Sequence, residues 1–210
     1  MPDLGFEKQL QAEGFSVVAG IDEAGRGPLA GPVTAAAVVL PENYSHRVLT
    51  DSKLLSEKTR DVIYDELISN PEVTISSAES TPEEIDRINI LRATWLAMSR
   101  AFEGIHPRPD VALIDGNPVK TFPAPHRSLV KGDSLSLSVA AASIIAKVER
   151  DRLMKSYAEK YPGYGFERHK GYGTKAHMEA LETRGPCPIH RMSFSPVIRA
   201  AGRKDVGGGR

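Results

Sequence analysis

The amino-acid sequence predicts an α/β fold, in which a sheet domain is followed by a helical, basic C-terminal segment. Short apolar runs bounded by turn residues recur before residue 131, which is typical of strands. Longer segments with apolar residues three and four positions apart predict helices between and after them. Residues 1–144 carry 13 Lys+Arg and 20 Asp+Glu, and residues 145–210 carry 14 and 7, so the zero net charge conceals an asymmetry. The basic part is compatible with a phosphate-binding face and with an ordinary solvated helical surface.

Five segments are predicted as strands because each is rich in apolar or β-branched residues and adjoins a turn signal. Gly31-Pro32 precedes the second segment, Asn70-Pro71 precedes the third, and Asp115-Gly116-Asn117-Pro118 follows the fourth. The second segment is apolar apart from Thr34, which indicates a largely buried strand. The predicted strands cover residues 16–21, 33–40, 73–76, 111–114 and 127–130.

Helical periodicity and capping signals predict four helices. Thr81-Pro82-Glu83-Glu84 combines a capping residue, a proline at the first helical position and a capping-box glutamate, and Gly104 ends that helix. The longest helix carries apolar residues along one face between Leu137 and Val148. Residues 161–173, rich in glycine, are expected to form a loop, after which Thr174 caps a last regular helix. The predicted helices cover residues 54–69, 81–103, about 136–160 and 174–183.

Length and composition narrow the class of protein. The 210 residues suffice for one domain with a substantial core, and no apolar run approaches the roughly 18 residues of a membrane span. The first residues lack the basic start and apolar stretch of a signal peptide. Cys187 is the single cysteine, which excludes an internal disulfide and a multi-cysteine zinc site. We therefore expect a soluble, cytoplasmic protein that does not enter a membrane.

Four acidic residues are candidates for a metal site because each lies where a predicted strand gives way to a turn or helix. They are Asp22, Glu23, Asp115 and Asp133. Sites in open α/β sheets gather at strand ends, and Mg²⁺ and Mn²⁺ prefer oxygen ligands. Two such ions about 4 Å apart activate water and stabilise the leaving oxygen in phosphodiester hydrolysis.

Each of these acids also has a purely structural interpretation. Asp115-Gly116 is an ordinary turn signal, and Asp133 is suited to capping the long helix. Neighbours such as Asp22 and Glu23 point to opposite faces of a regular strand. Both serve one site only if the strand ends or bulges there, or if Glu23 contributes its backbone carbonyl.

The segments around these acids, taken together and in order, resemble bacterial ribonuclease HII between about residues 16 and 197. No single motif is specific, but five in this order are, and the chain does not depart from the family pattern at these positions. The segments are Ile21-Asp22-Glu23-Ala24-Gly25-Arg26-Gly27-Pro28, Asp51-Ser52-Lys53, Ile114-Asp115-Gly116, Lys131-Gly132-Asp133-Ser134 with Ala141-Ala142-Ser143-Ile144-Ile145-Ala146-Lys147 and Arg150-Asp151, and Lys170-Gly171-Tyr172-Gly173-Thr174.

The resemblance implies a ribonuclease H-like fold, with a mixed sheet flanked by helices. Residues 1–15 are then an N-terminal extension, residues 16–200 a catalytic domain whose helical segment begins at about residue 150, and residues 201–210 a disordered tail. It also implies hydrolysis of RNA in RNA–DNA hybrids, and nicking of duplex DNA on the 5′ side of embedded ribonucleotides, with 3′-hydroxyl and 5′-phosphate products. The implied cofactor is Mn²⁺ or Mg²⁺, with two ions per site, and the protein is expected to be a monomer.

Individual roles follow from the same resemblance. The metal-binding, catalytic carboxylates are Asp22, Glu23, Asp115 and Asp133, of which Asp133 is expected to bind metal with substrate present. Glycine lacks a Cβ, so Gly25-Arg26-Gly27 is suited to contact between its backbone and a ribose 2′-hydroxyl, the group that distinguishes RNA from DNA. Tyr172 is placed on the neighbouring sugar, and Lys53 beside the scissile or an adjacent phosphate.

The histidines and basic residues of the C-terminal segment are expected to lie at the surface or to contact nucleic acid. His169, His177 and His190 are expected at the surface or on phosphates rather than as catalytic bases. Basic residues from Lys147 to Arg191 are expected to hold the duplex backbone.

Other functions are also compatible with the sequence. Ribonuclease HIII is expected to carry a further N-terminal domain, and a phosphotransferase acting on nucleotides is disfavoured because no phosphate-binding loop motif occurs. The main alternative is a non-catalytic nucleic-acid-binding protein on a nuclease-like fold.

Overall fold

A five-stranded mixed sheet forms the centre of the computed structural model, which describes residues 1–205. Its strand order is β3-β2-β1-β4-β5. β1, β2 and β3 pair antiparallel, whereas β4 runs parallel to β1 and β5 parallel to β4. The predicted mixed sheet is therefore confirmed. The strands are β1 (Val18–Ala24), β2 (Val33–Val39), β3 (Thr74–Ser80), β4 (Val111–Asp115) and β5 (His126–Leu129).

Helices flank this sheet on both faces and make up the C-terminal segment. Two short 3₁₀ turns, Ser52–Leu54 and Gly132–Ser134, stand at the ends of loops near the sheet. The α-helices are α1 (Gly5–Ala12), α2 (Glu57–Ser69), α3 (Pro82–Ile88), α4 (Ile90–Glu103), α5 (Leu137–Lys160), α6 (Phe166–His169), α7 (Lys175–Arg184) and α8 (Ser195–Asp205). No helix in the described residues is long and apolar enough to cross a membrane.

The two faces of β1 bury different helices, as its alternating side chains require. Ala19 and Ile21 belong to the apolar layer against α4, whereas α5 covers the opposite face. Gly20 faces α5 at very short range, since a Cβ there would lie 2.1 Å from the carbonyl carbon of Ser138. The close approach of α5 to β1 thus depends on a residue without a side chain. It also depends on the small Ala140–Ser143 run of α5, which is buried throughout.

Several element boundaries differ from the sequence prediction. β1 continues to Ala24, because residues 20–24 pair with β2 beyond the predicted strand end. The predicted helix over 81–103 is divided at Asn89, whose φ of 68° interrupts the helical path and whose side chain caps α4. The predicted loop 161–173 contains α6, and the helix predicted as the last is followed by α8. α8 ends at Asp205, so residues 201–205 of the predicted tail are helical, and residues 206–210 lie outside the described residues.

The segment predicted as an N-terminal extension contains α1, which supports the start of α5. Glu7 of α1 is buried, and its Oε1 accepts hydrogen bonds from Ser136 Oγ and Ser138 Oγ, both at 2.6 Å. The Ser138 backbone N–H donates to the same oxygen at 3.1 Å. A carboxylate at this position also interacts favourably with the positive end of the helix dipole. The N-terminal residues therefore fix the helix that begins just after Asp133.

Candidate active site

The acidic residues of β1 lie at one end of the sheet, on the rim of a cleft of about 220 Å³. Asp22 pairs with Ala36 and Glu23 with Ala35, so both remain inside the strand. Alternation directs Asp22 to the α5 side and Glu23 to the α4 side. The cleft opens where β1 ends after Ala24, so the two carboxylates reach it from opposite faces. Of the three conditions that the sequence left open for a shared site, an ending strand, a bulge or a backbone carbonyl of Glu23, the structure shows a strand that ends one residue after Glu23.

Asp115, the last residue of β4, joins Asp22 and Glu23 at this cleft. β4 runs parallel to β1 and adjacent to it, so the C-terminal ends of both strands meet at the same edge. One oxygen of Asp115 is fixed by Gly132, whose backbone N–H donates to Oδ1 at 2.7 Å. This bond brings the segment before α5 next to the end of β4.

Asp133 lies in the 3₁₀ turn just before α5 and is buried, but it does not line the cleft itself. Its Oδ2 is 4.0 Å from Lys53 Nζ, and Lys53 does line the cleft. Lys53 Nζ is also 3.9 Å from Asp51 Oδ1. Although burial works against it, the surrounding carboxylates, Asp51 foremost, raise the pKa of Lys53. Lys53 is thus a cation between Asp133 and the other acids.

The carboxylates repel one another and are disfavoured in their charged forms because they are buried together. Burial raises the pKa of Asp22 well above its usual range, and the charges of Glu23 and Asp115 raise it further. Burial also raises the pKa of Glu23, against the opposing effect of Arg26, whose Nη1 lies 3.3 Å from Glu23 Oε1. The pKa of Asp133 is raised by burial and by the neighbouring carboxylates. Such a group of acids gains stability from any divalent cation placed among them.

Two serines of the sequence motifs, to which no role was assigned, line the cleft together with Asp22. Ser143 of α5 works against the raised pKa of Asp22. The Ser143 hydroxyl also lies 2.8 Å from that of Ser52, and both serines are buried. The pair connects α5 to the 3₁₀ turn that carries Lys53. Sequence alone gives no sign of this contact, because the partners are 91 positions apart.

The loop Gly25–Gly27 forms another wall of the same cleft. Gly25 has a φ of 96°, a conformation that residues with a side chain rarely adopt. A Cβ at Gly25 would lie 1.9 Å from Nε of the buried Arg150, so glycine is required there for space as well. The side chain of Arg26 is about half exposed. The loop therefore presents backbone and one cationic side chain to the cleft.

Tyr172 lines the cleft opposite this loop and is 44% exposed, so a flat ring is available to a ligand. Its ring approaches Gly27, where an added Cβ would lie 3.6 Å from Tyr172 Cε1. The Tyr172 backbone is held by His177, whose Nδ1 donates a hydrogen bond to the Tyr172 carbonyl at 2.9 Å. The segment before it is joined to the loop side by the Leu29 N–H, which donates to the Gly171 carbonyl at 2.8 Å.

The expected surface position of the histidines is wrong for two of the three. His177 and His190 are buried, with Nε2 atoms 3.0 Å apart, and His169 stacks on His177 at 4.5 Å between ring centroids. Because His177 Nδ1 donates to the Tyr172 carbonyl, its Nε2 accepts from His190, whose Nδ1 accepts from the Cys187 N–H. Burial lowers the pKa of both His177 and His190 to about 4. They form a neutral support beneath Tyr172.

The expectation that basic residues from Lys147 to Arg191 hold the duplex backbone is wrong for several of them. Arg150 and Arg191 are fully buried and bind backbone carbonyls. Lys170 is buried as well, whereas Lys147, which pairs with Asp151 at 2.7 Å, lines the cleft. Charge counted along a sequence does not distinguish an exposed cation from one enclosed by the fold.

The cleft thus contains most of the predicted site residues, while a larger cleft of about 580 Å³ in the C-terminal segment contains none of them. Across the part of the chain that the structure describes, no three acidic, histidine or cysteine side chains stand together as a formed metal site. The chemistry of the donor set nevertheless fits Mg²⁺ or Mn²⁺, since carboxylates are hard oxygen ligands and the pKa of Asp22 is raised by its acidic neighbours. The residues brought together are Asp22, Glu23, Asp115, Gly25–Gly27, Lys53 and Tyr172, with Asp133 joined through Lys53.

Comparisons with known proteins show the family of the chain. The family model for ribonuclease HII matches residues 19–197. Ribonuclease HII of Listeria monocytogenes serotype 4a is 52% identical over 195 residues, which cover 93% of this chain and 74% of the relative. The crystal structure of ribonuclease H2 from Pyrococcus horikoshii OT3 superposes with a TM-score of 0.74 at 27% identity, over 89% of this chain and 98% of that one.

A more distant structure shares the fold. It is that of Bst ribonuclease HIII in complex with Mn²⁺, which matches with a TM-score of 0.66 at 19% identity, over 89% of this chain and 70% of that one. Ribonucleases H of this kind depend on divalent metal ions. The matched residues include the ends of β1 and β4, the Gly25–Gly27 loop and Tyr172. The chain therefore belongs to the ribonuclease HII family and is an endonuclease that cleaves the RNA strand of RNA–DNA hybrids.

Proposed function

We propose that this enzyme nicks duplex DNA on the 5′ side of an embedded ribonucleotide, as well as cutting longer hybrids, and leaves 3′-hydroxyl and 5′-phosphate ends. The observation that carries the proposal is the composition of one cleft. Its lining combines carboxylates with a glycine loop and a half-exposed tyrosine. The first group suits phosphodiester hydrolysis, and the second suits inspection of a sugar.

The carboxylates are proposed to hold two divalent ions, Mn²⁺ or Mg²⁺. Asp22, Glu23 and Asp115 supply the principal ligands, and Asp133 joins them when substrate is bound. When bound, such ions activate a water and stabilise the leaving oxygen. Binding of cations relieves the repulsion that raises the pKa of Asp22, so the acids are fully ionised in the loaded enzyme. No histidine is needed as a base, and no histidine lines the cleft.

Specificity for RNA is assigned to Gly25, Arg26 and Gly27. The backbone of this loop lies on the cleft wall without an intervening Cβ at Gly25 or Gly27, so it is accessible to a ribose 2′-hydroxyl. Tyr172 stands across from it, where its ring can stack on the neighbouring sugar. Lys53, with a largely exposed side chain and a raised pKa, is suited to a phosphate at the cleft mouth.

The experiment uses a labelled DNA duplex that contains one ribonucleotide, with Mg²⁺ or Mn²⁺, beside an all-DNA duplex and an EDTA control. We expect a metal-dependent nick directly 5′ of the ribonucleotide and no cleavage of the all-DNA duplex. Cleavage of long hybrids without any nick at a single ribonucleotide would contradict the proposed substrate. Duplex binding without cleavage under any metal condition would instead favour a non-catalytic nucleic-acid-binding protein.

Matched variants separate catalysis from recognition of the junction between the ribonucleotide and the neighbouring deoxyribonucleotide. Asp22→Asn is expected to reduce the cleavage rate by at least a thousandfold, while Asp65→Asn, at the exposed ion pair with Arg152, leaves it unchanged. Tyr172→Ala is expected to slow nicking at single ribonucleotides more than cleavage of long hybrids. Tyr161→Ala removes a tyrosine of the same segment outside the cleft and serves as its control. Equal losses for the two tyrosine variants would argue against a role of Tyr172 at the junction.

The location and assembly of the enzyme are also proposals. A single cysteine fits the reducing cytoplasm, where the chromosomal substrate of a bacterial ribonuclease HII is found. The complete cleft is formed within one chain, so a monomer suffices for the reaction. Light scattering of the purified protein at working concentration tests the second point.

A further inference from the structure

Two buried arginines surround the connection between β1 and β2 without a carboxylate at hydrogen-bond distance. Arg191, fully buried, donates from Nη2 to the Gly25 carbonyl at 2.5 Å, from Nη1 to the Arg26 carbonyl at 2.9 Å and from Nε to the Gly31 carbonyl at 3.0 Å. Nη2 also lies 3.2 Å from the Pro32 carbonyl. Its guanidinium thus binds both ends of the loop from Gly25 to Pro32.

Arg150 complements this arrangement from α5. Its donors reach the carbonyls of Pro32, Lys170 and Ala30 at 3.0, 3.0 and 3.1 Å. It contacts neither the Gly25 nor the Arg26 carbonyl by a hydrogen bond, so Arg191 alone of the two fixes the peptides that line the cleft. Lys170 lies two residues before Tyr172, and Arg150 therefore connects the tyrosine segment to the same loop.

A buried cation held by neutral carbonyls is costly in solvation free energy. Burial, with a further effect of Arg150, lowers the pKa of Arg191 to about 9. A hydrophobic side chain would fill the same volume without that cost, but it could not bind four carbonyls of one loop. The guanidinium is planar and presents five donors in fixed directions, which lysine does not. The arrangement is therefore suited to fixing backbone orientation rather than to adding stability.

The orientation that Arg191 imposes has a direct consequence for the cleft. The carbonyls of Gly25 and Arg26 point inward to the guanidinium, and in a trans peptide the following N–H points the opposite way. The N–H groups of Arg26 and Gly27 therefore point away from Arg191 and into the cleft that both residues line. Neither N–H donates to another backbone carbonyl in the described residues. Two adjacent donors are thus available to a ligand oxygen.

We propose that Arg191 is a positioning residue for substrate specificity: it orients the peptides of Gly25–Gly27 so that the Arg26 and Gly27 amides donate to the ribose 2′-hydroxyl. The inference rests on the proposed role of this loop in distinguishing RNA from DNA. Arg191 itself does not touch the substrate, because it is enclosed by the loop. Its replacement therefore affects the preference for a ribonucleotide more than it affects binding of the duplex.

The test compares affinities for a duplex with one ribonucleotide and for the same all-DNA duplex, with Ca²⁺ in place of Mg²⁺ to prevent cleavage. Arg191→Lys keeps the charge but loses the planar set of donors. We expect it to lower the ratio of the two affinities at least tenfold, while affinity for the all-DNA duplex changes less than twofold. Arg100→Lys, at a partly exposed arginine that binds Glu79 and Glu84 far from the cleft, is expected to leave both affinities unchanged.

The outcomes separate this inference from the proposed function. A wild-type enzyme without preference for the ribonucleotide duplex would refute the role of the loop itself. A wild-type preference that Arg191→Lys retains, or a parallel loss of both affinities in the folded variant, would overturn the positioning role alone. Thermal unfolding of each variant establishes that it is folded at the assay temperature.

A second measurement on the wild-type protein does not depend on folding of the variant. Amide hydrogen exchange at Arg26 and Gly27 is expected to be fast in the free protein and at least tenfold slower with the ribonucleotide duplex bound. The all-DNA duplex is expected to protect them less. Slow exchange of both amides in the free protein would show that they already have partners and would overturn the proposed orientation.

Discussion

Acidification from pH 7 to pH 5 tests the neutral histidine pair beneath Tyr172. His177 and His190 each have a pKa of about 4 in the folded protein, against about 6.5 for histidine in an unfolded chain. Below pH 6.5 the unfolded state binds more protons than the folded state, so stability falls as the pH decreases towards 4. At pH 5 this linkage amounts to a loss of about 2 kcal/mol for one histidine, and roughly twice that for two that titrate independently.

The physical reason lies in the hydrogen-bond chain. His177 donates to the Tyr172 carbonyl and accepts from His190, so a second proton on His177 would place two N–H groups against each other at 3.0 Å. His190 likewise accepts from the Cys187 N–H. Neither ring therefore has a free acceptor for the added proton. Acid is expected to disrupt the pair and to loosen the backbone of Tyr172 with it.

Urea unfolding at both pH values, with EDTA present, measures the effect. His177→Gln retains an amide donor for the Tyr172 carbonyl but removes one titrating group. We expect the stability lost between pH 7 and pH 5 to be smaller in this variant than in the wild type by about 2 kcal/mol. His106→Gln, which replaces an exposed histidine, is expected to lose as much stability as the wild type. Equal losses in the wild type and His177→Gln would refute the assignment of a neutral buried pair.

Two further predictions concern the cleft. In EDTA at pH 7, Asp22→Asn is expected to raise the free energy of unfolding, because it removes a buried charge repelled by its neighbours. It should also reduce the rise in Tm on adding Mn²⁺. A variant less stable than the wild type in EDTA would contradict this prediction. Gly25→Ala is expected to lower the free energy of unfolding by about 2 to 4 kcal/mol, since it combines a φ of 96° with a clash against Arg150. Gly116→Ala is the control: its φ is 89° but the space around it is open, so only the strain of alanine at a positive φ lowers its stability. Urea unfolding checks the difference, and equal effects of the two alanines would argue against the clash.

The sheet could be predicted from sequence because its strands are short apolar runs between strong turn signals. The end of β1 could not be located, since Asp22 and Glu23 are polar and yet continue the pairing with β2. Pairing depends on the partner strand, which local sequence does not describe. The strand ends after Ala24, three residues beyond the predicted end, so an ending strand is the one of the three stated conditions that the structure shows.

The supporting helices were harder to predict for the same reason. α1 is only eight residues long, and its position depends on Glu7 reaching serines about 130 positions away. α8 packs through Val197 and Ala200 onto Leu29 of the loop after β1. Short helices of this kind gain most of their stability from tertiary packing rather than from propensity. Their sequences alone therefore carry a weak signal.

The sequence named more of the residues that line the cleft than of the residues that position them, and the difference is physical. A carboxylate that binds metal or a glycine that admits a ribose is tied to its residue type by the chemistry, so motifs retain it. Residues that position these groups act through contacts across the fold: Ser143 beside Asp22, and Arg191 on the carbonyls of Gly25 and Arg26. In the sequence, Arg191 is one more cation of a basic segment.

Carboxylates lie on one side of the β1–β2 connection and buried guanidiniums on the other, and each group depends on not being paired with the other. The acids at the end of β1 interact with two cations whose side chains are more than half exposed, Arg26 and Lys53, and the proposed divalent ions would balance the remaining negative charge. The buried guanidiniums on the other side of the same loop are satisfied by carbonyls, and so do not compete for those carboxylates. An acidic residue placed beside Arg191 would neutralise it, but it would release the carbonyls of Gly25 and Arg26 and free their peptides to rotate. The observed orientation of the Gly25 and Arg26 peptides therefore depends on an Arg191 that is not paired with a carboxylate.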